Sequence, residues 1–212
     1  MNDLQINLSQ ISLLNKDLKI IFYKNTQMKK IFKLLALLLI TSIMTACTNS
    51  FAARKLTNSG NAFLEEGDFT QAISRFESAL ELNSDVFETR FLLSKAYYSQ
   101  QKCDKALENI IIASHLNDSS SVVYSLMGRS YECYANSIYN KNLKDKEQNN
   151  IIRQGYNKRD LDQYIYNLEK SVDSYKKYYT MTPTAYDALD LNIHADNIKT
   201  RLDKIKYSYT GK

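Results

Sequence analysis

The 212-residue chain is poor in the residues that interrupt helices. It contains one proline, five glycines and no tryptophan. Proline breaks the interior of a helix and glycine destabilises it, so the scarcity of both favours an all-helical fold. The aromatic content comes mostly from sixteen tyrosines, whose bulky amphipathic side chains suit a helical core and its interfaces.

The sequence also lacks the residue groups that carry chemistry. Its two histidines, His115 and His194, are isolated, and none of the three cysteines has zinc-ligand spacing. There is no G-x-S-x-G motif, no glycine-rich phosphate loop and no H-E-x-x-H motif. We therefore predict no enzymatic activity, no catalytic residue, no metal, no cofactor and no small-molecule substrate.

The formal charge of +5 comes mostly from the N-terminal segment. Residues 1–46 hold six of the 28 basic residues and two of the 23 acidic ones, which leaves 22 basic and 21 acidic residues from Cys47 onward. This balance of about +1 gives no support for a nucleic-acid partner. The part of the chain that begins at Cys47 has a length that suits a single domain.

Residues 28–46 have the pattern of a secretory signal. The segment begins with the cationic MKKIFK, continues with an apolar run from Leu34 to Ile40 and ends in small or polar residues. That run is too short to be a comfortable membrane span. The stretch Met44–Cys47 (MTAC) resembles the lipobox of bacterial lipoproteins, although leucine is commoner at the position of Met44. The resemblance implies lipid attachment to Cys47 and cleavage before it; the alternatives are an uncleaved anchor helix and an ordinary cleaved signal.

The position of this signal sets further expectations. We predict that translation starts at Met28, that residues 1–27 are a non-native upstream extension, and that residues 47–52 form a short tether. In bacterial lipoproteins an aspartate after the lipid-bearing cysteine commonly retains the protein at the inner membrane. Thr48 stands there, so the resemblance favours the outer membrane, facing the periplasm.

The other two cysteines have two interpretations. In an oxidising envelope compartment Cys103 and Cys133 can form a disulfide, provided that the fold brings their Cα atoms within about 7 Å. Alternatively they are two separate small hydrophobic side chains, since free cysteines are often buried.

Residue types recur along the chain with a period of 34. Small residues return at Gly60, Ser94 and Gly128, and aromatic residues return three positions after each of them. In the second half of each unit the series Ala72, Phe76 and Ala79 is repeated by Ala106, Ile110 and Ala113, which fall on one helical face. Turn-forming segments separate the units at residues 83–85 and 117–119.

These segments resemble the tetratricopeptide repeat, in which each unit is a pair of antiparallel helices. The resemblance is carried by NSGNAFLEEGDFTQAISRFESALELNSD and by LLSKAYYSQQKCDKALENIIIASHLNDS. It implies a short right-handed α-solenoid of about three helix pairs over residues 53–183, followed by a C-terminal capping helix over residues 184–212.

The third unit departs from the repeat. Its second helical face, Ser171, Tyr175 and Tyr178, arrives late because a polar insertion lies before it, at about residues 140–160. We expect a solvated loop or a fraying helix extension there, either as a tolerated surface insertion or as a partner-binding loop.

Beyond Pro183 an amphipathic stripe predicts the cap, because an end repeat exposes an apolar face that must be covered. A dimerising coiled coil is the alternative for this segment. The stripe consists of Ala188, Leu191, Ala195, Ile198, Leu202 and Ile205.

The first helices of such repeats line a concave groove, and the residues of this groove determine which partner binds. By the repeat alignment the predicted groove includes Thr57, Ser125 and Glu132, and the residues predicted to bind the partner are Asn61, Leu64, Phe91, Lys95, Tyr98 and Arg129. Phe91 and Tyr98 would be apolar anchors, and Lys95 and Arg129 would be polar contacts. Some relatives grasp acidic peptide tails with a fuller basic set, which is absent here. The alternative is that these six are ordinary exposed helix residues.

The sequence thus predicts an envelope lipoprotein, anchored by lipid on Cys47, that binds another envelope protein or a peptide as an adaptor. By resemblance to repeat lipoproteins, the class of role is assembly of an outer-membrane complex or of a pilus or secretin machine. One alternative is a cell-wall-associated lipoprotein that organises or binds the peptidoglycan machinery; another is a host-facing surface lipoprotein.

Overall fold

The structure, a computed structural model, describes residues 16, 28–31, 33–35, 37, 38, 48–143 and 157–210. The chain divides into two compact units, Met1–Ser50 and Phe51–Lys212. In the first unit the described residues are helical and exposed. Cys47, most of the proposed upstream extension and residues 144–156 of the proposed insertion lie outside the described residues. Among those that are described, no helix has the length and hydropathy needed to span a membrane.

All regular structure described in the second unit is helical, as the composition predicts. Helical structure runs through residues 48–66, which include the last five positions of the predicted tether; residues 51–66 belong to this unit and are called α1. The helices that follow are α2 (Phe69–Leu82), α3 (Phe87–Ser99), α4 (Cys103–Leu116), α5 (Ser121–Ile138), α6 (Lys158–Met181) and α7 (Ala188–Thr210). From α2 to α5 each helix packs against the next; α5 packs most extensively against α6, and α6 packs against α7.

The repeat period is visible in the turns between paired helices. Gly67 follows α1 with φ +80°, and Gln101, which occupies the same position one period later, follows α3 with φ +58°. The next residue closes the turn in both units: the Asp68 N–H donates to the Phe63 carbonyl at 2.9 Å, and the Lys102 N–H donates to the Tyr97 carbonyl at 3.0 Å. In both turns a residue after the helix therefore adopts the left-handed backbone conformation that ends many helices.

Two buried clusters form the core. The smaller one joins the first two units and centres on Phe76, which is fully buried, with Leu93 and Tyr97 beside it. The larger one joins α4 and α5 to α6 and α7 and includes Tyr175, which is also fully buried. Tyr98 packs against both clusters, so it connects the first part of the solenoid to the last.

Close helix packing explains why a small residue recurs at the start of each unit. A Cβ atom on Gly128 would lie 2.6 Å from ring atoms of Tyr175, and one on Gly60 would lie 2.7 Å from the ring of Phe76. The Tyr175 ring has no room to move, because it is buried and its hydroxyl donates to Glu132 at 3.0 Å.

We expect Gly128→Ala to lower the free energy of unfolding by about 1–3 kcal/mol, because overpacking outweighs the gain in helix propensity. Urea denaturation measures the change. If the Tyr175 ring is the cause, Gly128→Ala combined with Tyr175→Leu will cost less than the sum of the two single changes. Additive costs would contradict this explanation.

Two serines in the third unit stand where earlier units have alanine. Ser130 follows Ala62 and Ala96 in the repeat, and Ser171 corresponds to Ala72 and Ala106. Both serine hydroxyls are fully buried and have no hydrogen-bond partner within the described part of the chain. A buried hydroxyl without a partner is destabilising.

We therefore expect Ser171→Ala to raise the free energy of unfolding by about 1 kcal/mol. Ser94→Ala is the matched control: Ser94 is equally buried, but its hydroxyl donates to the Ala106 carbonyl at 2.7 Å. The control should lose about 1 kcal/mol in the same urea titration. A loss of stability in both variants would contradict the assignment for Ser171.

The described ends of the predicted insertion are helical. Helix α5 does not turn at Ala135, which lies one repeat period after Gln101 and is fully buried; it continues into a π-helical segment, Tyr139–Leu143. Leu143 is 2% exposed, and α6 already begins at Lys158. The insertion thus starts and ends as extensions of α5 and α6.

The C-terminal helix covers the end of the solenoid as the stripe predicts. Ala188, Leu191, Ala195, Ile198 and Leu202 are all buried in the larger cluster, and Ile205 packs against it. Its limits differ slightly from the prediction: α6 ends at Met181 and α7 begins at Ala188, not at residue 184. The intervening turn places Asp187 directly before α7.

Candidate functional site

A cleft of about 400 Å³ opens between α3 and α5, the first helices of the second and third units. We refer to it as the α3–α5 cleft. Tyr98 and the turn residue Gln101 line one wall, and Cys103 and Cys133 lie at the cleft as well. The α5 wall and the segment that follows it contribute Arg129, Glu132, Asn136, Ser137 and Asn140.

Local chain geometry explains both walls. The left-handed Gln101 ends the second unit's first helix and lies at the rim, beside Tyr98. On the other side, α5 runs past the position where the earlier units turn, so that Asn136 and Asn140 lengthen the wall. The departure from the repeat that precedes the insertion therefore builds part of the cleft.

A disulfide joins Cys103, the first residue of α4, to Cys133 in α5, with a Cα–Cα distance of 5.5 Å. It links the second helix of one unit to the first helix of the next. Because both cysteines line the cleft, the bond holds this part of the wall in place.

The cationic side chain of the cleft wall is paired with a residue of the cap. The Arg129 Nη2 atom lies 3.6 Å from Oδ2 of Asp187, and each side chain is 41% exposed. The other oxygen of Asp187 accepts a hydrogen bond from the Tyr178 hydroxyl at 2.7 Å. This hydrogen bond, followed by burial, raises the pKa of Tyr178, which keeps its proton on the phenol.

The anionic side chain of the cleft wall is also bound by neighbours. The Nε2 atom of His194, in α7, lies 2.9 Å and 3.1 Å from the two Glu132 carboxylate oxygens. The Tyr175 hydroxyl donates to the same carboxylate. Burial first, and then the charge of Glu132, raises the pKa of Tyr175, so this phenol remains a hydrogen-bond donor.

The resulting surface is suited to binding a ligand through hydrogen bonds. Side-chain amides at Gln101, Asn136 and Asn140 offer donors and acceptors together, as an extended peptide backbone requires. Over the described residues, no group of three or more His, Cys, Asp or Glu side chains is placed to hold a metal ion.

Two of the six predicted partner-binding residues, Tyr98 and Arg129, meet in the cleft, together with Glu132 of the wider predicted groove. Asn61, Phe91 and Lys95 do not line it. Asn61 donates to Glu65 at 2.8 Å on α1, Phe91 stacks on Phe87 with 6.2 Å between ring centroids, and Lys95 is exposed on α3. The roles of Tyr98, Arg129, Asn61, Phe91 and Lys95 in binding stay predictions.

Leu64 requires a correction. It is 7% exposed and belongs to the smaller core cluster, where it packs with Phe76 and neighbouring apolar residues, so it has no accessible face to offer a ligand. Thr57 at the preceding groove position is also buried. Its hydroxyl donates to the Ala53 carbonyl and lies 2.8 Å from the Thr89 hydroxyl, which links α1 to α3.

Sequence reasoning missed the amide residues of the cleft and the charge partner of Arg129. The repeat alignment could have identified Gln101 as a turn residue, because it occupies the repeat position of Gly67. It could not have identified Asn136 and Asn140, since they follow the point where α5 departs from the repeat. The pairing of Asp187 with Arg129 is a tertiary contact, which the repeat pattern cannot reveal.

Comparison with known proteins supports the repeat assignment. Residues 63–129 match a family model described as a tetratricopeptide repeat, which confirms the predicted resemblance for this part of the chain. The fold is similar to the first TPR of Spaghetti (RPAP3) bound to HSP90 peptide SRMEEVD, at 16% identity and a TM-score of 0.54, covering 71% of this chain and 95% of the other.

Two further solved structures are similar. The first TPR domain of the human RPAP3 protein matches at 15% identity and a TM-score of 0.54, covering 73% of this chain and 98% of the other. The Sgt2 TPR domain from Aspergillus fumigatus matches at 16% identity and a TM-score of 0.50, covering 72% and 80%. At these identities the likeness shows the fold alone. A search of curated proteins finds no match.

Proposed function

We propose that this protein is a membrane-anchored adaptor that binds a partner protein or peptide in the α3–α5 cleft. The observation that carries the proposal is the cleft itself. A concave surface of about 400 Å³, with an aromatic side chain, three amides and two charged groups, lies between consecutive first helices of the solenoid. Concave sites with a few placed polar groups are the usual binding surfaces of proteins.

The proposed location is the bacterial cell envelope, with lipid on Cys47 at the outer membrane and the solenoid facing the periplasm. The signal-like pattern of residues 28–46 supports export. The disulfide between Cys103 and Cys133 supports it independently, because such bonds persist mainly in oxidising compartments. The proposed partner is another envelope protein, in the assembly of an outer-membrane, pilus or secretin complex.

Site-specific photo-cross-linking in intact cells tests the binding role. A photoreactive residue at Tyr98 should capture a defined protein, whereas the same residue at Ser74, exposed on α2, should not. Capture of the same protein from both positions, or of none from Tyr98, would contradict the cleft as the binding surface. Co-sedimentation of the purified protein with cell-wall sacculi would favour the peptidoglycan alternative.

The anchor is tested separately from the cleft. Metabolic labelling with a palmitate analogue should mark the native protein and should fail for Cys47→Ala. Membrane fractionation of the same two strains reports whether lipid at this residue holds the protein at the membrane. An unlabelled native protein would contradict the lipoprotein proposal without affecting the adaptor proposal.

A further inference from the structure

Both charged groups of the α3–α5 cleft contact the segment that contains the cap. Arg129 faces Asp187, which precedes α7, and Glu132 is bound by His194 within α7. Arg129, the cation of the cleft, is therefore already paired with a carboxylate of the chain, although the sequence alone suggests that it is a cationic contact for a ligand.

We propose that Asp187 is the specificity-determining residue of this cleft. By neutralising Arg129 it lets the cleft accept an uncharged peptide segment and discriminates against peptides that carry carboxylates. The inference rests on the proposed function, because it concerns the ligand of the same cleft.

The position of Asp187 suits this role. Its Oδ1 atom accepts from the Tyr178 hydroxyl at 2.7 Å, and Tyr178 is buried, so the carboxylate has a fixed support. Its Oδ2 atom lies 3.6 Å from the Nη2 atom of Arg129. A guanidinium is the side chain best shaped to bind a carboxylate of a ligand, and here a carboxylate of the chain itself already lies beside it.

A carboxylate ligand would also meet like charge. Once it approached Arg129 it would lie near both Asp187 and Glu132, and like charges across an interface are a common means of rejecting wrong partners. An uncharged segment avoids this repulsion and can use the amides of Gln101, Asn136 and Asn140 for its backbone groups.

The test is to remove the charge of Asp187 while keeping its shape. The probe is the heptapeptide SRMEEVD, which bears several carboxylates, titrated into the purified disulfide-bonded protein by isothermal calorimetry. Asp187→Asn keeps an oxygen for the Tyr178 hydroxyl. Because the pair is part-exposed, we expect the variant to bind the probe about two- to fivefold more tightly than the native protein at low salt. The gain should shrink at about 1 M salt.

Two further variants control the experiment. Asp196→Asn removes the same charge from α7, where Asp196 pairs with Lys176 at 2.8 Å, and it should leave the affinity unchanged. Adding Arg129→Gln to Asp187→Asn should abolish the gain. Thermal unfolding of each variant confirms that the folded protein is being titrated.

Equal affinity of the native protein and Asp187→Asn, including no measurable binding by either, overturns the inference. An equal gain from Asp196→Asn overturns it as well, since net charge would then be the cause. Either failure leaves the adaptor proposal intact as long as Tyr98 still captures its partner in cells.

Discussion

A chain that ends at Thr182 is expected to lose the cooperative unfolding transition of the intact protein. Such a chain lacks α7, whose Leu191, Ile198 and Leu202 are each less than a tenth exposed. Burying one such side chain contributes about 1.5–3 kcal/mol, so the three together contribute on the order of 5–9 kcal/mol. That is comparable to the whole stability of an ordinary domain, about 5–15 kcal/mol.

The truncation also uncovers the apolar face of α6. Tyr175 and Val172 lie in the same cluster as the cap residues, and α6 otherwise packs mainly against α5 and the π-helical segment among the described helices. Circular dichroism during urea titration measures the result, with aggregation followed by light scattering. A truncated chain that unfolds cooperatively at the native midpoint would contradict the capping role.

A matched pair of point variants separates capping from the mere loss of chain length. Leu191 is 8% exposed and Leu189, on the same helix, is 54% exposed. Leu191→Asp should cost more than about 3 kcal/mol, because it buries a charge and removes an apolar contact. Leu189→Asp should stay within about 0.5 kcal/mol of the native protein.

The sequence was sufficient to predict the fold because the repeat and the amphipathic stripes are local patterns. Gly60 and Gly128 marked where helices approach, and the apolar stripe beyond Pro183 marked the cap. The binding surface was predicted less well, since a repeat alignment gives the helical face of a position but not its depth. Leu64 lies on the predicted face, yet it is buried in the cluster that joins the first two units.

Tertiary contacts that cross the repeat could not be read from spacing. Arg129 meets Asp187 only because the turn after α6 returns the chain to α5, although the two residues are far apart in the sequence. Ser171 fits the repeat pattern as a small residue, and only the structure shows that its hydroxyl lacks a hydrogen-bond partner within the described chain. The repeat thus places Tyr98 and Arg129 at the cleft, whereas Asp187, outside the repeat, supplies the charge partner of Arg129.

The disulfide makes the second large contribution to the free energy of unfolding, and single substitutions can measure it. Cys103 and Cys133 are separated by 30 residues, and closing a loop of that length restricts the unfolded chain by about 3–4 kcal/mol. We expect Cys133→Ala to lower the free energy of unfolding by that amount in urea under oxidising conditions. A reducing agent should lower the stability of the native protein to the same extent.

The double variant Cys103→Ala/Cys133→Ala separates the bond from the packing of its sulfur atoms. It should be about as unstable as Cys133→Ala and insensitive to reduction, because no bond remains to be broken. An equal effect of the reducing agent on the native protein and the double variant would contradict the assignment. The bond joins α4 to the α5 wall of the cleft, so its loss acts on the binding surface as well as on stability. Capture of a partner from Tyr98 should therefore weaken in the double variant even at temperatures where that variant is fully folded.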